Sequence, residues 1–189
     1  MNAIDALARI KQGNERFVND KLDGKLQDSN RRNELTSGQE PHTIVLSCAD
    51  SRVVPELTFD SGLGELFVVR VAGNIANNSS IASIEYAVAH CGSKLIVVLG
   101  HESCGAVGAA LKGGDNGHNL NHLLSHITPA LHAAGENASV AEVVKSNAHL
   151  NAKELVGRSE IISKAVSAGE VKIVAGYYNL GSGKVDFLA

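Results

Sequence analysis

The chain has no tryptophan, one methionine and three cysteines among its 189 residues. It also lacks any long run of apolar or of basic side chains. Each shortage removes a class of protein. A membrane-spanning helix needs about 20 consecutive, largely apolar residues, and no segment approaches that. A nucleic-acid or anionic-membrane partner needs concentrated positive charge, whereas 17 Lys and Arg face 20 Asp and Glu, for a formal net charge of -3. The start, MNAIDALARIKQGNERF, is amphipathic and charged throughout, unlike a secretory signal or an anchor. An odd number of cysteines then argues for metal binding or a free thiol over a disulfide framework. These absences leave a cytoplasmic protein, with no nucleic-acid or membrane partner, acting on something small.

With 44% hydrophobic and 20% charged residues, the chain can bury one sizeable core and is too short for two comfortable domains. The expectation is a single domain over 1–189, made of a helical arm (1–40) and an α/β core (41–189). Ile4, Leu7, Ala8, Ile10 and Phe17 fall mostly on one face of a helix over 3–18, and Arg31 to Gln39 adds a further turn or two. From His42 onward the pattern changes to short apolar runs, TIVLSC at 43–48, LFVVRVA at 66–72, KLIVVLG at 94–100 and VKIVAGYY at 171–178, which read as buried strands. Helical segments lie between them at 80–91, 104–111 and 118–168, the last broken near Pro129 and Gly135. Strand, helix, strand predicts a mainly parallel sheet of about four strands flanked by helices. GSGKVDFL at the end adds an edge strand, read as a hairpin with 171–178.

In open parallel sheets, sites form at the carboxyl ends of strands. Two predicted strands end on ligand-type side chains: Cys48 in SCADSR, and His101 with Cys104 in GHESCG. Two thiolates and an imidazole form a soft set suited to zinc, and three protein ligands leave a fourth position open, as catalytic zinc sites do. Cys104 also stands at a predicted helix start, where backbone amides favour the thiolate. Taken singly, each of these three reads as a small core residue or a satisfied loop histidine. Asp50 and Arg52 alter that balance. A carboxylate held by a bidentate guanidinium stays ionised and can accept the proton of a metal-bound water, a use that a closed structural site does not have.

Other signals carry less. GHESCGAV has the layout of a phosphate loop, but Ala106 and Val107 stand where Lys and Ser or Thr belong, so nucleotide hydrolysis is rejected. His118, His122 and His126 recur every four residues without a carboxylate or cysteine in a ligand spacing, and Cys91 reads as a core residue of an apolar helix.

The pair Cys48-Ala49-Asp50-Ser51-Arg52 and His101-Glu102-Ser103-Cys104 resembles the two signatures of the β-class carbonic anhydrases, C-x-D-S-R and H-x-x-C. The likeness is strong over about 36–110 and looser elsewhere. It implies one Zn2+ per chain on Cys48, His101 and Cys104, reversible hydration of carbon dioxide to bicarbonate, and Arg52 orienting Asp50. It further implies Gln39 and the Gly105 amide steadying substrate oxygens, Phe67 walling the pocket, and Tyr86 with His90 on the proton route. Such residues come partly from a neighbouring subunit in the family, implying a homodimer or higher even homo-oligomer. Alternatives on the same metal set are hydrolysis of carbon disulfide or carbonyl sulfide, and a non-catalytic zinc-binding protein. The chain departs from many relatives at Arg70-Val71-Ala72-Gly73-Asn74 and at Ala106. Some bacterial relatives are switched off by bicarbonate in a second pocket built around a tryptophan; that position here is Val45, although Arg70 and Tyr177 or Tyr178 match other members of the pocket.

Overall fold

In a computed structural model describing residues 1–188, the apolar runs become β1 (Thr43–Ser47), β2 (Leu66–Arg70), β3 (Leu95–His101) and β4 (Lys172–Tyr178), all parallel. Ala189, the last residue of the expected domain, lies outside the described residues. The hairpin at the end also forms: β5 (Val185–Phe187) runs antiparallel to β4, giving the order β2-β1-β3-β4-β5. The chain passes from β1 to β2 on one side, then crosses to β3 on the other. The space beyond the carboxyl ends of β1 and β3 is therefore the switch point at which open α/β sheets bind ligands.

Nine α-helices lie among the described residues: α1 (Ala3–Val18), α2 (Ser29–Glu34), α3 (Pro55–Thr58), α4 (Asn78–His90), α5 (Gly105–Lys112), α6 (His118–Ser125), α7 (Thr128–Ala134), α8 (Val140–Arg158) and α9 (Glu160–Ser167). Successive side chains alternate between the two faces of the sheet. Ile44, Leu46, Ile96 and Val98 meet Ile81, Ile84, Ala148, Leu155 and Ile162 of α4, α8 and α9. Val45, Leu95, Val97 and Leu99 meet Ala6 and Ile10 of α1, with Val53 and Phe59. A third cluster, including Ile75, Val107, Ile127, Val143 and Tyr177, closes over the carboxyl end of the sheet around Cys48 and Cys104.

Three details differ from the reading of the sequence. The long segment 118–168 breaks once more, at Ser159, whose backbone is extended and whose Oγ accepts from the Ile162 amide, restarting the chain as α9. Strand β2 stops at Arg70, because Ala72–Asn74 coil into a tight turn with Gly73 at φ 74°. The buried face of α1 is Ala6, Ile10, Gly13 and Asn14, leaving Ile4 exposed. Small side chains let α1 approach closely: a Cβ on Gly13 would stand 1.9 Å from the Phe59 carbonyl oxygen. Thus α1 covers one sheet face as part of the core.

At the opposite, amino end of β1, the ring of His42 is partly buried. Its Nδ1 lies 2.8 Å from Thr43 Oγ1, while its Nε2 is buried with no partner. Burial, followed by the nearby Arg9 charge, lowers its pKa from 6.5 to about 4. Between those values the unfolded chain takes up a proton that the folded chain refuses, so this group's contribution to stability is complete above pH 6.5 and falls on acidification towards about pH 4. Urea unfolding across this range should show the parent losing stability relative to His42→Gln, by at most ~1.4 kcal/mol per pH unit. A difference independent of pH would mean that His42 is not held neutral.

Candidate active site

Parallel pairing places Ser47 beside Leu99, so the chains leaving β1 and β3 emerge side by side. Cys48 follows β1 directly, His101 ends β3, and Cys104 immediately precedes α5. One ligand atom from each lies within 4.8 Å of the other two, and all three residues are buried. The loop joining His101 to Cys104 is braced. The Glu102 amide donates to Tyr178 O at 2.8 Å, Glu102 Oε2 accepts from the Leu180 amide at 2.9 Å, and Ser103 takes a left-handed φ of 54°.

These donors fit a divalent metal ion. His101 is fully buried, and its Nδ1–H donates to Glu102 O at 2.8 Å, since a carbonyl can only accept. That fixes the tautomer with a bare lone pair on Nε2, a buried atom with no protein partner. The two thiols are tightly linked. The neighbouring Cys104 thiol is the main cause that draws the Cys48 pKa down, while Cys104 is pushed up by its interaction with Cys48 and by burial. A cation between them would let both sulfurs carry charge. The Gly73 amide already donates to Cys48 Sγ at 3.3 Å.

Asp50 and Arg52 form a bidentate pair. Arg52 Nε donates to Oδ1 at 2.9 Å and a terminal nitrogen donates to Oδ2 at 2.7 Å, with the Arg52 backbone amide also on Oδ1. The Arg52 side chain is chiefly responsible for holding the Asp50 carboxyl well below the usual carboxylate range. Asp50 Oδ2 is nevertheless 3.9 Å from His101 Nε2, so the carboxylate borders the ligand cluster while turned onto Arg52. Arg70 donates to Cys48 O at 3.1 Å and to Asp50 O at 2.7 Å, pinning the backbone of this loop. Gly105 opens α5 directly after Cys104, with nothing within 4 Å of where its Cβ would be.

The other residues singled out in the sequence gather elsewhere. Phe67 and Tyr86 have ring centroids 6.3 Å apart, and Tyr86 and His90 5.1 Å. Gln39 and His90 line one cleft of about 660 Å³ together with His42, Gly64 and Glu65. Those neighbours mark the amino ends of the strands, so within one chain this group lies at the end of the sheet opposite the metal ligands. His122 and His126 pack edge to face at 5.3 Å, and no third ligand joins them among the described residues. Cys91 is buried at the end of α4. Val45 sits fully buried among Val97, Phe59 and Tyr178 in the apolar core. Sequence reasoning did not find Gly73 as a partner of Cys48, nor two buried asparagines, Asn147 and Asn151, behind it. Two asparagines four residues apart among the apolar positions of α8 were the available signal.

A parallel sheet with two cysteines and a histidine converging at its switch point, beside a carboxylate held ready, defines a metal-binding α/β enzyme. Comparison with known proteins narrows this class. The family model described as "Carbonic anhydrase" matches residues 43–185. A carbonic anhydrase of Mycolicibacterium smegmatis is 40% identical, over 98% of this chain and 93% of that one. Carbonic anhydrase 2 of Mycobacterium tuberculosis is 37% identical, over 97% and 91%. Among solved structures, a Coccomyxa β-carbonic anhydrase in complex with acetazolamide superposes with TM-score 0.78 at 28% identity, covering 85% of this chain and 78% of that one. The chain belongs to the carbonic anhydrase family, in its β class, and is an enzyme.

With Val45 packed into the core and Arg70 committed to two loop carbonyls, the residues that would make a second bicarbonate pocket offer a poor set of free donors. A buried anion short of donors is costly. Bicarbonate inhibition in mildly alkaline buffer should therefore be competitive and non-cooperative in stopped-flow assays. A sigmoidal dependence on bicarbonate would show that a second pocket forms.

Proposed function

We propose that the chain catalyses the reversible hydration of carbon dioxide to bicarbonate and a proton, using one zinc ion per chain. The observation that carries this reading is the placement of Asp50: next to three convergent ligands, 3.9 Å from His101 Nε2, yet turned onto Arg52. With three protein ligands, a bound ion would keep a fourth position for water, and Asp50 would be an acceptor beside it. Cys48, His101 and Cys104 would hold the ion, which when bound supplies the Lewis acidity that brings a water towards hydroxide near neutral pH.

The remaining work belongs to side chains and amides. Asp50 accepts a hydrogen bond from the attacking water and so directs its lone pair at carbon dioxide, while Arg52 keeps Asp50 ionised and turned away from the ligands. The Gly105 amide and Gln39 donate to the oxygens that gain charge as bicarbonate forms, and Phe67 supplies an apolar wall. Tyr86 and His90 carry the released proton outward, an imidazole being able to accept a proton on one ring nitrogen and release one from the other.

Gln39, Phe67, Tyr86 and His90 lie at the far end of the sheet from their own chain's ligands, so the reading requires a second copy to bring them to the site. The working unit is accordingly a homo-oligomer with an even number of chains. A solved pair of β-carbonic anhydrases from Sordaria macrospora, similar in fold to this chain at TM-score 0.79, is described as tetrameric, in keeping with this assembly. A reducing cytoplasm suits two cysteines that must remain thiolates.

Stopped-flow carbon dioxide hydration by protein of measured zinc content tests the reading, with carbon disulfide and carbonyl sulfide run in parallel. Turnover of the sulfur compounds alone, or of none of the three by zinc-loaded protein, would overturn it. Cys48→Ser, His101→Ala and Cys104→Ser should each lose zinc and nearly all activity, because two remaining ligands hold the ion weakly. Asp50→Ala should keep its zinc and slow by about 10–100-fold. Full zinc content in the first group, or parent-like turnover in the last, would remove that residue from its role.

His90→Ala should be slow in dilute buffer and recover when imidazole is added, since an external base then takes the proton. Equal rates for parent and variant at every buffer concentration would remove His90 from the proton route.

A further inference from the structure

Asn147 and Asn151 are both buried, on the α8 face that also carries Val143, Val144, Ala148 and Leu155. Burying an amide among apolar groups is unfavourable unless its hydrogen bonds are made, so their partners indicate what they are for. Asn147 Nδ2 donates to Gly73 O at 2.8 Å. Asn151 Oδ1 accepts from the Ala76 amide at 2.6 Å, while Asn151 Nδ2 donates to Asn147 O at 2.8 Å and to Asn147 Oδ1 at 2.9 Å. The two side chains thus grip both ends of the Gly73–Ala76 turn and brace each other.

This turn needs bracing. Gly73 and Asn74 are both left-handed, at φ 74° and φ 43°, and a non-glycine residue holds that conformation only where its surroundings over-determine it. A Cβ on Gly73 would stand 2.8 Å from Ile127 Cδ1, so the turn is also tightly enclosed. The opposite side of the same residue carries the chemistry: the Gly73 N–H donates to Cys48 Sγ at 3.3 Å. One backbone unit is therefore held by Asn147 through its carbonyl and holds a sulfur ligand through its amide.

We propose that Asn147 and Asn151 are positioning residues for the metal centre, fixing the Gly73 turn so that its amide stays on the Cys48 sulfur and orients it. The inference rests on the reading of Cys48 as a metal ligand. Outer partners of metal ligands ordinarily change metal affinity by about 10–100-fold when removed, and that is the effect expected here. Arg158 provides the control. Its guanidinium donates to Ala76 O and Asn78 Oδ1, both at 2.7 Å, so it secures the next part of the same segment without reaching Gly73.

The test uses full-length protein labelled with 15N and loaded with 113Cd, together with zinc affinity from chelator competition. In the parent, the Gly73 amide proton should show a coupling to cadmium transmitted through the Cys48 sulfur. Asn147→Leu, close in volume, should lose that coupling and bind zinc about 10–100-fold more weakly. Asn151→Ser should change both in the same direction, and it carries the test if Asn147→Leu fails to fold. Arg158→Ala should lower the melting temperature while leaving the coupling intact and the zinc affinity within about twofold. The inference is overturned if the parent shows no coupling at Gly73, if the asparagine variants retain coupling and affinity, or if Arg158→Ala loses as much affinity as they do. Failure of the parent to take up cadmium at all would overturn the metal centre itself, a separate outcome seen before any variant is made.

Discussion

Everything at the candidate metal centre depends on the hydrogen bonding of β1 to β3. Cys48 and His101 are 53 positions apart in the chain, and they meet because two parallel strands pair in register and end together. Shifting that pairing by one residue would turn either Val45 or Val97 towards the wrong face and move Cys48 out of line with His101. The apolar packing on both sides of the sheet therefore maintains the ligand geometry as well as the fold. The strand β2 that separates β1 from β3 in sequence lies on the outer side of β1, and this reversal opens the crevice that the ligands occupy.

Bringing two sulfurs and an imidazole together in a buried place creates an electrostatic problem, and the surrounding chain is organised around it. A buried thiolate needs donors or a cation. The amides of Ala106 and Val107 at the start of α5 favour charge on Cys104, and the Gly73 amide favours charge on Cys48. The carboxylate nearest the cluster is turned onto a bidentate guanidinium, itself steadied by the Ser103 carbonyl at 3.4 Å. Left-handed residues occur at Ser103, in the loop that joins His101 to Cys104, and at Asn74, in the turn after β2 whose Gly73 amide donates to Cys48.

The two ends of the sheet have separate equipment. The carboxyl end carries the ligands and the Asp50–Arg52 pair, and the amino end carries Gln39, Tyr86 and His90 around an open cleft. A single chain holds both halves but cannot bring them together, because a strand of five residues spans about 17 Å. The proposed assembly resolves this by letting one copy's amino end serve another copy's metal.

The strands, the ligand trio and the Asp50–Arg52 pair were legible in the amino-acid order because each is written locally. A buried strand appears as an unbroken apolar run, and a loop that follows a strand and opens a helix appears as its own few residues, CADSR and HESC. The helix that packs by small residues was misread at Ile4, since apolar periodicity does not reveal that Gly13 lets another backbone come close. Asn147 and Asn151 were passed over for a related reason: their spacing among the apolar positions of α8 marks them as buried, but not what they hold until the position of Gly73 and Ala76 is known. Sequence alone determined which atoms could bind a metal and which carboxylate is paired with a guanidinium beside them, because donor type and short spacing are properties of the chain. Only the tertiary structure decided which strand ends stand together, which turn supports a ligand sulfur and which candidates lie at the far end of the sheet, because those follow from pairing between residues tens of positions apart.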